Sequence, residues 1–389
     1  MIQQASYNYL DLDRVHTGLP VEKALEIELS ARNCHRVAIV ASQSIVSKTE
    51  IVSALQGQLG ERCAGVFDQT VEHVPRSSVI ELANFLRACK ADIILTIGGG
   101  TPIDTVKTAL VCLAENIDRA EQLDRFAIYV DDDGQRVTPA IANPPIRQIV
   151  VPTTLSGAEF SDLAGCVDPE TGIKNLFSGP QIGAASVILD PALTIPTPRD
   201  LWLSTGIRAI DHAVETICSA EPHPLADAGA FHALRLFAKS LPRNAEQPDD
   251  LEARLDSQTA VWLSCMGLNR VPYGASHGIG HQVGAQAGVP HGYTSCILLP
   301  HVMAFNHAAS KDRQALISDA FGAPDRQAAD LVAELISELG LPTRLRDVGV
   351  KKDQLDAIAV GSLQNAWVRG NIVPINHAEQ VRDILDKAF

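Results

Sequence analysis

The sequence predicts two domains of different class: an α/β domain over residues 1–190, built as a parallel sheet with helices on both faces, and an all-helical domain over residues 191–389. Three observations carry this expectation. The 389 residues, 46% of them hydrophobic, exceed the usual size of one domain and can build a large core. From residue 36 to about 150, short β-branched runs alternate with helical patterns, as in strands joined by crossover helices. Beyond ASVILDPALTIPTPRD (185–200) the β-branched runs thin out and amphipathic helical patterns take over.

Taken in order, RVAIVAS (36–42) has the unbroken apolar character of a buried strand. SSVIELANFLRACKAD (77–92) repeats apolar residues at helical spacing and opens with Ser78-x-x-Glu81, which predicts a capping box; the strand IILTI (93–97) follows. RQIVVP (147–152) is another strand and leads into TTLSGAEFSD. The acidic tip DDDG (131–134) and the prolines near it predict surface loops. In the second half, AADLVAELISELGLP (328–342) predicts an amphipathic helix with Gly340 and Pro342 as stop signals.

Composition narrows the function classes. Lys and Arg total 32 against 46 Asp and Glu, a formal net charge of -14, so a polyanion is repelled and nucleic acid is not an expected partner. The eight cysteines are scattered without a C-x-x-C pair and are expected to be reduced thiols. The opening MIQQASYNYLDLDR has no basic start followed by an apolar stretch, and no run approaches the roughly 18 apolar residues of a membrane span. The expectation is a cytoplasmic protein with a small-molecule substrate and no membrane partner, a homodimer by default for a soluble enzyme of this size.

Three segments carry chemistry. ILTIGGGTPIDTVK (94–107) reads as a strand, three glycines and a helix start, where backbone N–H groups can approach a phosphate and the helix dipole favours its charge. Ile103 stands where a G-x-G-x-x-G fingerprint would place its last glycine, so the segment reads equally as a tight turn without ligand. VPTTLSGAEFSD (151–162) is a hydroxyl-rich loop after a strand, either ligand-lining or a capped turn. GASHGIGHQVGAQAGVPHGYTSCILLPHVMAFNH (274–307) contains His277 and His281 at i, i+4 on one helix face, and His291 after Pro290 at a helix start. With His212 in STGIRAIDHAVE (204–215), these could converge on one site of the kind that holds Zn, Fe or Ni. His301 and His307 read as structural, and His16, His35, His73, His223, His232 and His377 as ordinary core or surface residues.

In this order, GGGTPIDTVK, PTTLSGAEFSD, DPALTIPTPRDLWLSTGIRAIDHAVE and HGIGHQVGAQAGVPHGYTSCILLPHVMAFN resemble the iron-containing alcohol dehydrogenase family, which includes the maleylacetate reductases, over nearly the whole chain. The resemblance implies a dinucleotide-binding N-terminal domain, a helical C-terminal domain and a cleft between them for a nicotinamide cofactor and its substrate. It implies that Gly98, Gly99, Gly100 and Thr101 hold the pyrophosphate, that Asp104 supports their turn, and that Thr153, Thr154 and Ser156 lie along the nicotinamide ribose and phosphates. Metal-dependent members use an aspartate and three histidines as ligands; the matching positions are Arg208, His212, His277 and His291, and His281 matches a histidine near the nicotinamide.

Arg208 departs from that pattern. A guanidinium cannot be a ligand, and two unit charges 4 Å apart repel by roughly 4 kcal/mol at an effective dielectric of 20. The segment AGVFDQTVEHVP (64–75) resembles the maleylacetate reductases, whereas PHGYTSCILLPHVMAFN resembles the metal-dependent branch. The expectation is a reductase of the maleylacetate reductase type, acting without catalytic metal on a small oxo acid or unsaturated oxo acid. Arg208 would polarise the carbonyl or grip a carboxylate, with His281 or another released histidine relaying the proton. The simpler role for Arg208 is an ion pair with Asp211 at i, i+3.

The alternatives are a metal-dependent alcohol dehydrogenase or aldehyde reductase holding Fe or Zn through His212, His277 and His291, and, more remotely, a dehydroquinate-synthase-like lyase. Members selective for NAD place an acid after the first strand; Ser42 occupies that place, so both NAD and NADP are expected to serve.

Overall fold

The computed structural model describes residues 6–131, 136–168 and 174–389. Of the acidic tip at 131–134, only Asp131 lies among them. The chain forms two compact units: Tyr9–Pro196, and Thr197–Phe389 together with the described N-terminal residues up to Asn8. The division therefore falls at Pro196/Thr197 rather than at 190, because the turn Pro191–Thr194 still belongs to the first unit.

The first unit runs β1 (Arg14–Thr17), α1 (Val21–Arg32), β2 (Val37–Ala41), α2 (Gln43–Lys48), α3 (Ile51–Leu59), β3 (Cys63–Phe67), α4 (Arg76–Cys89), β4 (Ile93–Gly98) and α5 (Gly100–Ala114). There follow a small antiparallel pair β5 (Tyr129–Val130) and β6 (Arg136–Val137), β7 (Gln148–Pro152), the antiparallel pair β8 (Leu163–Val167) and β9 (Lys174–Ser178), and β10 (Ala184–Leu189). Six strands form one parallel sheet in the order β1-β10-β7-β4-β2-β3. Successive residues of β2 point to opposite faces, and both faces are buried. Val37, Ile39 and Ala41 pack with Leu25 and Leu29 of α1 and Leu55 of α3. Ala38 and Val40 pack with Leu82 of α4 and Val106 and Leu110 of α5. A strand covered on both sides needs an unbroken apolar run, and this explains VAIVA.

The capping box expected at Ser78 is absent. The helix starts earlier, at Arg76, so Ser78 lies inside its first turn and donates instead to the carbonyl of Gln69 at 3.1 Å. Pro75 stands at the N-cap, and the buried Arg76 guanidinium anchors that first turn by donating to Asp124 and Asn175.

The second unit is helical throughout its described residues: α6 (Arg199–Ile217), α7 (Pro224–Glu246), α8 (Leu251–Ser264), α9 (Ala275–Ala287), α10 (His291–Ala320), α11 (Ala328–Glu338), α12 (Leu355–Ser362), α13 (Ala366–Arg369) and α14 (Ala378–Ala388). Residues of α9, α10, α12 and α14 share one apolar core. α6 is buried around nearly its whole circumference from Trp202 onward. A surface helix would bury a single stripe, so the polar residues of α6 require partners inside the protein.

Candidate active site

In the α/β unit the chain leaves β2 for β3 at the sheet edge and returns to β4 on the other side of β2, a change of direction at which ligands of open α/β sheets bind. The carboxyl end of β4 there is the glycine turn. Gly98 has φ 148°, a region that favours glycine, and a Cβ on Gly99 would lie 2.9 Å from the Thr154 side chain. Gly98 is paired with Pro152 in the sheet register, and its carbonyl accepts from the Thr153 N–H at 3.0 Å. Thr154 Oγ1 donates to Ser156 Oγ at 3.2 Å. The turn and the hydroxyl loop therefore lie side by side, as close as the missing Cβ permits.

α5 begins here at Gly100 with no side-chain cap, so its first N–H groups are open to an anion. This fits a pyrophosphate. Thr101 lies in that first turn and its carbonyl accepts from Thr105 Oγ1. Asp104 faces away from the glycines: Oδ2 accepts from the Gly165 N–H at 3.2 Å, and Oδ1 is 3.4 Å from the buried Lys107 Nζ, which donates to the Leu163 carbonyl at 2.8 Å. Asp104 thus ties α5 to β8. Ser42 precedes α2 and shares a 3.1 Å hydrogen bond with Ser44.

In the helical unit, α6 presents Arg208, Asp211, His212 and Glu215, all buried. The sequence reading centred on histidines, named Asp211 only as an ion-pair partner for Arg208 and passed over Glu215. The i+3 and i+7 spacing of these carboxylates from Arg208, inside a helix with no exposed face, was the available signal. Glu215 reaches the start of α9, where Oε2 accepts from the Gly274 N–H at 3.1 Å and Oε1 from the Ser276 N–H at 2.9 Å. A carboxylate at that helix N-terminus is well placed. It fixes the helix that carries His277 and His281.

His277 Nδ1 lies 2.7 Å from Glu215 Oε2 and 3.5 Å from Asp211 Oδ1. Its Nε2 shares a 2.9 Å hydrogen bond with His212 Nδ1. Burial and Arg208 push the His277 imidazole down, but the two carboxylates outweigh them and hold it above its ordinary range. Burial pushes Asp211 up; His277, Arg208 and the Ser295 hydrogen bond bring it below the usual carboxylate value. Asp211 Oδ2 accepts from Ser276 Oγ at 2.8 Å and Ser295 Oγ at 2.7 Å. Arg208 Nη1 donates to Ser295 Oγ at 3.1 Å and stands 3.8 Å from Asp211 Oδ2, so the expected ion pair is present but spanned by a serine.

Among the described residues, Asp211, Glu215 and His277 bring ligand atoms within 4.8 Å of one another. His277 Nδ1 is flanked by both carboxylates, and Asp211 Oδ1 is buried there without a hydrogen-bond partner. Two carboxylates and an imidazole suit Fe or Zn, so the cluster fits a divalent cation, with the charge of Arg208 opposing it. His212 and His291 fall outside this group. His291 starts α10 and packs against His281, their rings 5.6 Å apart. Trp367 of α13 covers His281 at 4.7 Å and lies 5.6 Å from His277. Asn365 Nδ2 is 3.4 Å from His281 Nδ1.

The family description "Fe-containing alcohol dehydrogenase family, C-terminal" matches residues 202–389, and "Iron-containing alcohol dehydrogenase" matches residues 14–191. Dehydrogenase ALT3 of Alternaria alternata is 35% identical over 390 residues, covering 91% of this chain and 98% of that protein. Dehydrogenase FUM7 of Gibberella moniliformis is 32% identical over 393 residues, covering 92% of each. The crystal structure of maleylacetate reductase from Agrobacterium tumefaciens superposes with a TM-score of 0.83 at 25% identity, covering 100% of this chain and 99% of that one. These likenesses span both units and agree with the uncapped helix start beside the glycine turn: the chain belongs to the iron-containing alcohol dehydrogenase family and is an NAD(P)-dependent oxidoreductase.

Proposed function

We propose that the protein interconverts a carbonyl compound and its alcohol as a metal-dependent alcohol dehydrogenase or aldehyde reductase. The observation that carries this is the buried group Asp211, Glu215 and His277, whose ligand atoms lie within 4.8 Å of one another. These three residues would hold the metal. Bound there, Fe or Zn would supply Lewis-acid charge to the reaction. A nicotinamide cofactor supplies or accepts the hydride, with Gly98, Gly99, Gly100 and Thr101 binding its pyrophosphate and Thr153, Thr154 and Ser156 beside them.

The chain's own residues handle the proton. With His277 Nδ1 turned to the metal and the carboxylates, its Nε2–H would donate to His212 Nδ1 at 2.9 Å, which fixes His212 with its Nε2 as the atom that gives or takes a proton. His212 can then protonate the oxygen of the reduced product or accept the proton on oxidation. His281 is a second donor, held by Trp367 and Asn365.

A second reading keeps the chemistry free of metal and assigns reduction of maleylacetate or a related oxo acid. Arg208 favours it, since its fixed charge at 3.8 Å from Asp211 opposes a cation and could itself polarise a carbonyl. The test is the initial rate of NADH and NADPH oxidation with aldehydes and with maleylacetate, before and after chelation and after adding Zn or Fe. Aldehyde turnover lost on chelation and restored by metal supports the first reading. Maleylacetate turnover indifferent to the chelator supports the second, and a reaction without net cofactor turnover refutes both.

A further inference from the structure

Arg208 is a buried residue whose side chain retains 11% exposure. Its guanidinium has five N–H donors, yet among the described residues the one hydrogen bond it makes is from Nη1 to Ser295 Oγ. None of its nitrogens is among the buried atoms left without a partner, so the remaining N–H groups lie at the part of the side chain that is still accessible, where an acceptor from outside can meet them.

The natural internal partner, Asp211, is withheld. Its Oδ2 takes the hydroxyls of Ser276 and Ser295 at 2.8 and 2.7 Å, and the guanidinium stands off at 3.8 Å. Ser295 is the spacer: it donates to the carboxylate and accepts from the arginine, and this keeps the two charges from closing into a direct fork. The remaining acid nearby, Glu215, is committed to the backbone N–H groups of Gly274 and Ser276. Among the described residues, no carboxylate hydrogen-bonds the open side of the guanidinium.

We propose that Arg208 is a carboxylate-binding subsite, held open by Ser295 as a positioning residue, and that the substrates are carbonyl compounds bearing a carboxylate. This rests on the oxidoreductase reading and names its substrate class. A planar guanidinium with free parallel N–H groups matches a carboxylate bidentately, which lysine cannot do.

The experiment compares kcat/KM for succinate semialdehyde and butanal, the same four-carbon aldehyde with and without the carboxylate, together with malonate binding to the enzyme–cofactor complex by calorimetry. Wild-type enzyme should favour the acid about a hundredfold, the discrimination expected when a buried polar site is left unpaired. Arg208→Met should remove that preference and malonate binding together, and Arg208→Lys should retain about a tenth of the preference. Ser295→Ala should raise KM for the acid about tenfold and lower the acid-to-neutral ratio in kcat/KM, and Ser295→Thr should restore both. An acid-to-neutral ratio that survives Arg208→Met, or malonate binding unaffected by it, overturns the subsite. Absence of turnover with every aldehyde in wild-type enzyme would refute the reductase reading instead, and malonate binding would still decide the subsite.

Discussion

Glu159 lies in the short turn Ala158–Phe160 just after the hydroxyl loop, 2% exposed, with Oε2 lacking a hydrogen-bond partner among the described residues. Burial pushes its carboxyl from 4.5 up to about 7, its own backbone hydrogen bond and Lys107 pull it down, and Asp104 pushes it up. Below pH 4.5 both folded and unfolded chains carry the proton, and the group is neutral towards stability. Between 4.5 and about 7 the folded state keeps a proton that the unfolded state releases, so stability falls as pH rises; above 7 the whole penalty is felt. At 1.36 kcal/mol per pH unit, the gap corresponds to about 3 kcal/mol.

Glu159→Gln removes the ionisation and preserves the size. It should be more stable than wild type by about 3 kcal/mol at pH 8 and by under about 1 kcal/mol at pH 5. Urea unfolding at both values checks this, and wild type should release close to one more proton than the variant on unfolding near pH 6. An equal stability difference at the two pH values, or a variant less stable at pH 8, would show that Glu159 is ionised in the folded protein at neutral pH, with Lys107 as its effective partner.

Replacing Arg208 with Met should strengthen Zn binding at least about a hundredfold, since a unit charge about 4 Å away is worth roughly 4 kcal/mol at a dielectric of 20; competitive chelator titration measures it, and unchanged affinity would refute the charge argument. Gly99→Ala should weaken NADH binding at least tenfold in a fluorescence titration, because the added Cβ would stand 2.9 Å from Thr154 and displace the hydroxyl loop. Burial pushes Glu28 up, yet His16, Ser186 and Arg32 hold its carboxyl below the ordinary value. Its stabilisation is present above pH 4.5 and lost as pH falls through the depressed folded value. Glu28→Gln should cost about 3 kcal/mol at pH 7, a loss that shrinks in acid urea melts.

What could be read from the chain was what depends on near neighbours. VAIVA and IILTI announce buried strands because both faces of the sheet are covered, and GGG after a strand announces a helix start that a backbone ligand can approach. Ser78-x-x-Glu81 misled because the helix already starts at Arg76, after Pro75, and the Arg76 side chain there is held by Asp124 and Asn175, residues far along the chain that a local pattern cannot foresee. The sequence marked the histidines of this region but neither its carboxylates as a group nor its arrangement. His277 pairs with Asp211 and Glu215, and His281 with His291 and Trp367, because helix packing decides which i, i+4 partner faces which wall. Ser295 drew no notice at all, since a serine in an apolar helix carries no mark of the charges it will separate.

Asn371 Oδ1 accepts from the Ala275 N–H at 3.0 Å and from Asn306 Nδ2 at 3.0 Å, and its own Nδ2 returns a 2.7 Å bond to Asn306 Oδ1. The start of the helix bearing His277 is therefore clamped by a residue nearly a hundred positions downstream, through a second residue on α10. During synthesis the histidines emerge long before the amide that seats them. The sheet can therefore form from residues already made, whereas the start of α9 is seated only after position 371 has been added and the Asn371–Asn306 amide pair has closed.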